Sequence, residues 1–280
     1  MPEGDTIHTV ARVMAPDLVG RELVVLEVDQ RVVAGGSSGA ARVVACEAVG
    51  KHLLVTVLGA MTWTLRVHLG MKGSWHRYRP GELWRRTPNN RRVVLQTAEW
   101  LFVCFSPKEV ALTSERSFLR PQVEHLGPDL LGASFDMGEV LRRARLNPEL
   151  AIADVLLKQS VAAGIGNVYK SELCFLERVN PFTPSGELSD EKLVAFYERA
   201  RVLMRENLDS GGWRITTTRP AHATGFSADR SIPMEQRHWV YRRARRPCHV
   251  CGTLVRSRLQ GPTARMTYWC PRCQPTHGRS

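Results

Sequence analysis

Between residues 22 and 115 the chain is a series of short runs rich in Val, Leu and Thr: ELVVLEV, RVVACEA, HLLVTVL, TWTLRVHL, RVVLQT, WLFVCF and EVALTS. Stretches bearing Gly or Asn, such as GGSSG and TPNNR, separate them. Runs of this kind between turn residues read as strands, and a succession of them as a β-sandwich or barrel. Ahead of them, Ile7, Val10, Met14 and Leu18 recur at helical spacing, on a helix that Asp5 or Thr6 would cap. Glu3 would favour the positive end of that helix. This leaves Pro2 and Gly4 unexplained.

The period then changes. RPQVEHLGPDLLGAS, with its prolines and glycines, reads as a linker. Beyond it FDMGEVLRRAR, ELAIADVLLKQS, NVYKSELCFLERV and SDEKLVAFYERARVLMRENL carry helical periodicity. The last opens on a cap-like Ser189 followed by Asp190 and Glu191. Residues 211–246 have weak periodicity and many arginines, which suggests a mobile basic loop before a short final module. The expected organisation is multi-domain α+β. It runs as a β domain over 1–118, a linker over 119–131, a helical domain over 132–210, a basic loop over 211–244 and a cysteine module over 245–275.

A chain of 280 residues has room for two or three cores, and 43% hydrophobic with 24% charged residues fits a globular protein. Charge narrows the reading further. Lys and Arg number 39 against 27 acids, a net charge of +12 that suits nucleic acid or an anionic membrane surface. Solubility alone would also account for it. The most apolar stretch, LLVTVLGAMTWTLRVHL, is broken by Thr, Gly and Arg66 and reads as two strands rather than a membrane span. The acidic N-terminus does not resemble a signal peptide, so a cytosolic location with reduced thiols is expected.

Two local motifs carry chemistry. CHVC and CPRC supply Cys248, Cys251, Cys270 and Cys273, two pairs with the spacing of a closed four-thiolate zinc site. One structural zinc ion is expected; disulfides or a redox pair are the alternatives. His249 and His277 lie nearby, but four sulfurs fill the shell. Cys46, Cys104 and Cys174 sit in apolar runs and read as buried thiols. Between the pairs, GTLVRSRLQGPTARMTYW alternates like a hairpin turning at Gln260-Gly261-Pro262 and bears Arg256, Arg258 and Arg265. Held rigidly, such arginines suit phosphate, although any single one reads better as a solvated charge. The second motif, AAGIGNVYKSE, joins two helical patterns. Gly164 and Gly166 permit a tight turn, and Asn167 with the free amides of the next helix would form an anion site.

These pieces occur together in one family. The chain resembles the formamidopyrimidine-DNA glycosylase / endonuclease VIII enzymes of base-excision repair, most of all the bacterial endonuclease VIII-like branch. The resemblance rests on PEG behind Met1, GKHLL, HLGMKGSW, AGIGNVYKSE and the terminal four-cysteine finger, in that order along nearly the whole chain. It implies an N-terminal two-layer β-sandwich with a flanking helix, a helix-two-turn-helix domain and a zinc finger. It also implies damaged double-stranded DNA as partner and no membrane; a monomer is the default expectation, since nothing in the sequence argues for an oligomeric interface.

The resemblance further implies roles. Loss of Met1 would leave Pro2 as an N-terminal secondary amine, the nucleophile that attacks C1′ of the damaged nucleotide. An α-amino group titrates near ~8, so part of it is neutral at physiological pH. Glu3 would protonate the sugar ring oxygen, and Gly4 would leave space for the sugar. Lys51, Asn167 and Arg265 match phosphate-contacting positions; Glu172 matches a further acid that supports the site. Met71 matches the wedge that fills the gap left by a flipped nucleotide. Two departures stand out. Many relatives read Pro-Glu after PEG where this chain has Asp5-Thr6. SPKEVALT also replaces the region where the oxidised-purine branch carries an Arg-Phe pair, which favours oxidised pyrimidines and leaves other gap-filling residues unassigned. A loop over 214–238 falls where relatives read the lesion. The expected activity is a bifunctional glycosylase and apurinic/apyrimidinic lyase working by β,δ-elimination. A non-catalytic damaged-DNA-binding protein on the same scaffold, or an RNA-binding zinc ribbon, are the rivals.

Overall fold

The computed structural model describes residues 2–34, 41–114, 123–209 and 238–276. The expectations for GGSSG, for residues 211–237 of the basic loop and for His277 lie outside the described residues. The chain forms two compact units, Met1–Pro2 with Thr6–His125 and Glu3–Asp5 with Leu126–Ser280.

The first unit is built on two antiparallel sheets. The strands are β1 (Val25–Val28), β2 (Arg31–Ala34), β3 (Arg42–Val49), β4 (His52–Leu58), β5 (Thr62–His68), β6 (Ser74–Tyr78), β7 (Arg91–Gln96), β8 (Leu101–Phe105) and β9 (Glu109–Thr113). One sheet runs β2-β1-β7-β8-β6 and the other β3-β4-β5-β9. Alternation decides which side chains enter the core: Leu53, Val55 and Val57 of β4 and Leu65 and Val67 of β5 face Leu26, Val93, Leu95, Phe102 and Cys104 of the other sheet. Helix α1 (Gly4–Leu18) adds Ile7, Ala11, Met14 and Leu18 to the same cluster. A smaller cluster of Tyr78, Val94, Leu101, Val103 and Phe105, with Trp84 packed on it, covers the other face of the five-stranded sheet. This is the expected two-layer sandwich with a flanking helix. The helix begins at Gly4, so Asp5 and Thr6 lie inside its first turn and neither occupies the expected capping position.

The second unit holds α2 (Met137–Ala144), α3 (Ile152–Leu157), α4 (Asn167–Leu176), α5 (Asp190–Asp209) and the hairpin β10 (Arg256–Gln260) and β11 (Arg265–Trp269). Leu130, Val140, Ile152, Leu156, Ile165, Tyr169, Leu173, Phe196, Tyr197 and Met204 share its core. Asp136 caps α2 through the Glu139 amide at 3.1 Å. The second half of the stretch read as a linker belongs to this unit. Leu130 is fully buried, and the amides of Gly127 and Leu130 donate to the carbonyls of Gln159 and Ala163 at 2.8 and 3.1 Å. A leucine in a run of turn residues anchors that segment where composition alone suggested a tether. The hairpin turns at Gly261, as its sequence indicated.

Candidate active site and metal centre

The turn before α4 gathers the chain's first residues. Both Glu3 carboxylate oxygens are buried against the open end of that helix. They accept from the amides of Gly166, Val168 and Tyr169 at 2.7, 2.8 and 3.3 Å. A helix leaves its first amides without partners and carries partial positive charge there, so a carboxylate is a fitting cap. The anion expected at this turn is therefore supplied by the chain itself, and these amides are not free for a ligand. Gly4 donates its amide to the Gly164 carbonyl at 2.9 Å. A Cβ on Gly4 would fall 2.8 Å from the Gly164 Cα, so close backbone approach explains this glycine within the described residues. Gly164 itself has φ +124°, open to glycine. A Cβ on Gly166 would lie 2.4 Å from the Glu3 carboxyl carbon. Asp5, also buried, accepts from the Tyr169 hydroxyl at 2.8 Å and from Asn207 Nδ2 at 2.9 Å.

Helix α4 meets the cysteine module along its other faces. Asn167 Nδ2 donates to the Met266 carbonyl at 2.9 Å, while its buried Oδ1 has no hydrogen-bond partner. Arg265, the neighbour of Met266, is exposed. The fully enclosed Lys170 donates to Thr267 Oγ1 at 2.7 Å and to the Met266 carbonyl at 3.3 Å. Burial lowers its ammonium to about 8. Arg258 is stacked on Phe182 at 3.5 Å, so of the hairpin arginines it is the one committed to packing. Glu172 is buried and accepts from the amides of Trp239, Val240 and Tyr241 at 2.7, 2.9 and 2.8 Å. Burial raises its carboxyl to about 7 despite these donors, each of which favours the ionised form.

The four cysteine sulfurs all lie within 4.8 Å of one another. Cys248 and Cys273 approach to 3.9 Å, and Cys251 and Cys270 to 3.5 Å. Tetrahedral zinc–thiolate bonds place sulfurs roughly 3.8 Å apart, whereas a disulfide needs about 2 Å. The set is that of a metal site. Gln274 ties it to the helices: Oε1 accepts from the Cys270 amide, Nε2 donates to the Val179 carbonyl, and its own carbonyl accepts from Asn180 Nδ2, each at 2.9 Å. Cys46, Cys104 and Cys174 are buried, with burial pushing Cys46 and Cys174 up to about 12.

In the first unit Pro2 is half-buried and Lys51 follows Gly50 in the β3–β4 turn. Next to Lys51, His52 pairs across the sheet with His68, their rings 5.0 Å apart. Arg66 Nη1 lies 3.1 Å from His52 Nδ1 and donates to Glu109 Oε2 at 3.2 Å. Burial first, then the other cations, holds His52 down to about 4. Sequence reading passed over this cluster. The period of two puts His52, Arg66 and His68 on the face opposite Leu53 and Leu65, which would have been a usable signal. Met71 is 75% exposed in the turn after β5. That turn is wound tightly, with the Gly73 amide 3.1 Å from the Leu69 carbonyl and Gly70 at φ +63° against Lys108.

Residues 1–120 match the formamidopyrimidine-DNA glycosylase N-terminal domain and residues 126–219 the formamidopyrimidine-DNA glycosylase H2TH domain. The chain belongs to the formamidopyrimidine-DNA glycosylase family. Within this family of base-excision repair enzymes it is 38% identical over 279 residues to the probable endonuclease 8 2 of Streptomyces coelicolor, covering 98% of this chain and 94% of the relative. It is 33% identical over 276 residues to the DNA-(apurinic or apyrimidinic site) lyase Nei2 of Mycolicibacterium smegmatis, covering 98% and 99%. The crystal structure of the MutM (Fpg) protein of Thermus thermophilus superposes with a TM-score of 0.73 at 26% identity over 98% of both chains.

Two predictions follow from the α4 contacts. Gly166→Ala drives a methyl into the Glu3 carboxyl and is expected to cost about 2 kcal/mol or more of unfolding free energy. Denaturant titration reads this; an unchanged midpoint would show that Glu3 does not rest on this turn. The second concerns Glu172. Between its ordinary value of 4.5 and about 7 the folded state holds a proton that the unfolded state has released. The stability this group adds is thus present at low pH and lost as pH rises through about 7. Glu172→Gln removes that titration, so the stability difference between wild type and variant should change between pH 5 and pH 7.5. A constant difference would contradict the assignment.

Proposed function

We propose that the protein is a bifunctional DNA glycosylase and apurinic/apyrimidinic lyase that removes oxidised pyrimidines from double-stranded DNA. The observation that carries this reading is the anchoring of Glu3, Gly4 and Asp5 on the turn of the H2TH motif, which gives the residue before Glu3 a defined setting. Loss of Met1 makes Pro2 a secondary amine. Its nitrogen lone pair attacks C1′ as the bond from C1′ to the base breaks, and the base leaves with that electron pair and is protonated by solvent. The Glu3 carboxylate takes the N–H proton shed by the amine and returns it to the ring oxygen as the ring opens. The product is an iminium, charged without further protonation. It acts as the electron sink for loss of a C2′ proton with the 3′ phosphate, then of the 5′ phosphate.

Lys51, Asn167 and Arg265 are the proposed phosphate contacts, each a cation or an amide suited to anionic oxygen. The exposed Met71 is the proposed wedge, and Glu172 supports the site by holding residues 239–241. Zinc is the proposed ion of the four-cysteine centre, where it supplies structure alone because four thiolates close its shell. The charge of +12 supports a polyanionic partner, and no described helix is long and apolar enough to cross a membrane. A cytosolic monomer acting on the nucleoid is the corresponding setting.

The test is borohydride trapping on a duplex with one oxidised pyrimidine or one abasic site. Wild type is expected to form a covalent adduct that is lost in protein retaining Met1, where the Pro2 nitrogen is part of an amide and cannot attack. No adduct on either duplex, from metal-loaded protein that still binds DNA, would leave a binding protein on this scaffold. Chelation gives a second prediction. Metal removal frees the hairpin that carries Arg265 and should weaken DNA binding at least tenfold in a filter or anisotropy assay. Retained tight and specific binding by the metal-free protein would count against a structural role for the ion.

A further inference from the structure

Three consecutive residues near the chain start are fixed in three different ways by the same turn and helix. Glu3 takes the α4 amides, Gly4 lies on the Gly164 backbone, and Asp5 reaches Tyr169. The last contact closes a triangle. The Tyr169 hydroxyl donates to Asp5 Oδ2 at 2.8 Å, while Asn207 Nδ2 stands 2.9 Å from that oxygen and 2.7 Å from the hydroxyl. Asn207, close to the C-terminal end of α5, can only donate through Nδ2, so the phenol must accept from it and point its own hydrogen at Asp5. The three side chains are buried, and Tyr169 also donates its amide to Glu3. One tyrosine thus holds both acids that flank Gly4.

We propose that Asp5, Tyr169 and Asn207 form a positioning network that sets the N-terminal amine and Glu3 for reaction, with no contact to DNA of their own. Burial of three polar groups is costly unless each is satisfied, and here Asp5 and Tyr169 answer each other with Asn207 bridging them. Loss of one member leaves unsatisfied buried groups beside Glu3. The consequence is local: residues 3–5 gain freedom, and the nitrogen bonded to Glu3 through a single residue loses its setting. Small misplacements of a reacting group lower rates far more than they lower affinity. The network also gives Asp5 a reason to be acidic in a chain that lacks the Pro-Glu pair found at this point in many relatives.

The inference rests on the Pro2 reading, and the experiment separates the two. Single-turnover trapping on saturating abasic-site duplex is compared for wild type, Tyr169→Phe, Asp5→Asn and Asn207→Ala, alongside affinity for a duplex with a non-cleavable tetrahydrofuran site. Amide hydrogen exchange at Gly4 is followed in the same proteins. Trapping is expected to slow by about 10- to 100-fold in the variants. Affinity should stay within about twofold, and Gly4 exchange should quicken. Wild type that forms no adduct sinks the Pro2 reading and, with it, the catalytic role of the network. Variants that trap at the wild-type rate, or that lose affinity and trapping in parallel, overturn the network while leaving the Pro2 reading intact. Tyr169→Phe removes one oxygen only, and Asn207→Ala serves as the independent variant if the core does not accept Phe.

Discussion

A carboxylate on the open end of a helix organises the second unit. Glu3 satisfies three amides that would otherwise be buried donors without acceptors, at the positive pole of α4. The requirement propagates through the sequence. Gly166 must lack a Cβ for the carboxyl to arrive, Gly4 must lack one for its backbone to approach Gly164, and Gly164 sits at φ +124°, a conformation that favours glycine. The turn can close around an acid from the far end of the chain only because Gly4 and Gly166 carry no side chain. A phosphate cannot use the same amides while Glu3 occupies them. In the proposed reading, anion recognition in this region falls to donors on side chains, the exposed Arg265 and the second Nδ2 hydrogen of Asn167, whose first bonds the Met266 carbonyl.

Helix α4 is buried along nearly its whole length although it contains Asn, Lys, Ser and Glu. Each polar residue has a reason to be inside. Asn167 and Lys170 bind the β11 backbone and Thr267, Ser171 donates back to the Asn167 carbonyl, and Glu172 collects the amides of residues 239–241. Buried polar side chains must be satisfied, and this helix meets that requirement as a hub whose polar side chains replace water for other segments. The four-cysteine centre is consequently more than a local staple. Through Gln274, Gln260 and the β11 contacts it fixes the hairpin against α3 and α4, so the position of Arg265 depends on the metal site and on α4 together.

Periodicity made most of the architecture readable. The seven strands quoted from sequence are strands, the four helical patterns are helices, and the hairpin turns where Gly261 indicated. β2 and β6 escaped notice because both lie at sheet edges, where one side is solvated and the alternation of RVVA and SWHRY is weak. The metal centre was legible because ligand spacing is a local property. The Glu3 cap was not, since its partners lie at Gly166, Val168 and Tyr169, and no local rule joins positions so distant in the chain. Sequence reasoning found an anion site at the right turn and assigned it an external occupant. Nor does any local rule signal that Lys170 is enclosed; that depends on the approach of Thr267 from the distant hairpin.

The Asp5-Thr6 departure acquires a physical meaning from this arrangement. An acid at the first turn of α1 could have been a dispensable dipole partner worth a few tenths of a kcal/mol at an exposed site. Here it is buried and tied to two side chains from separate helices. Removing one partner from a buried hydrogen-bonded network leaves the others desolvated and unsatisfied, which costs more than the bond itself contributes. Substitutions at Asp5, Tyr169 and Asn207 should therefore couple rather than add, because each single change already leaves the others unsatisfied. Glu3 lies on the same tyrosine, so disturbance of that triangle is transmitted to the acid next to Pro2 by one hydrogen bond and one peptide unit. In this proposal the chemistry at the N-terminus depends on buried side chains behind the reacting groups, and their burial is what makes the dependence strict.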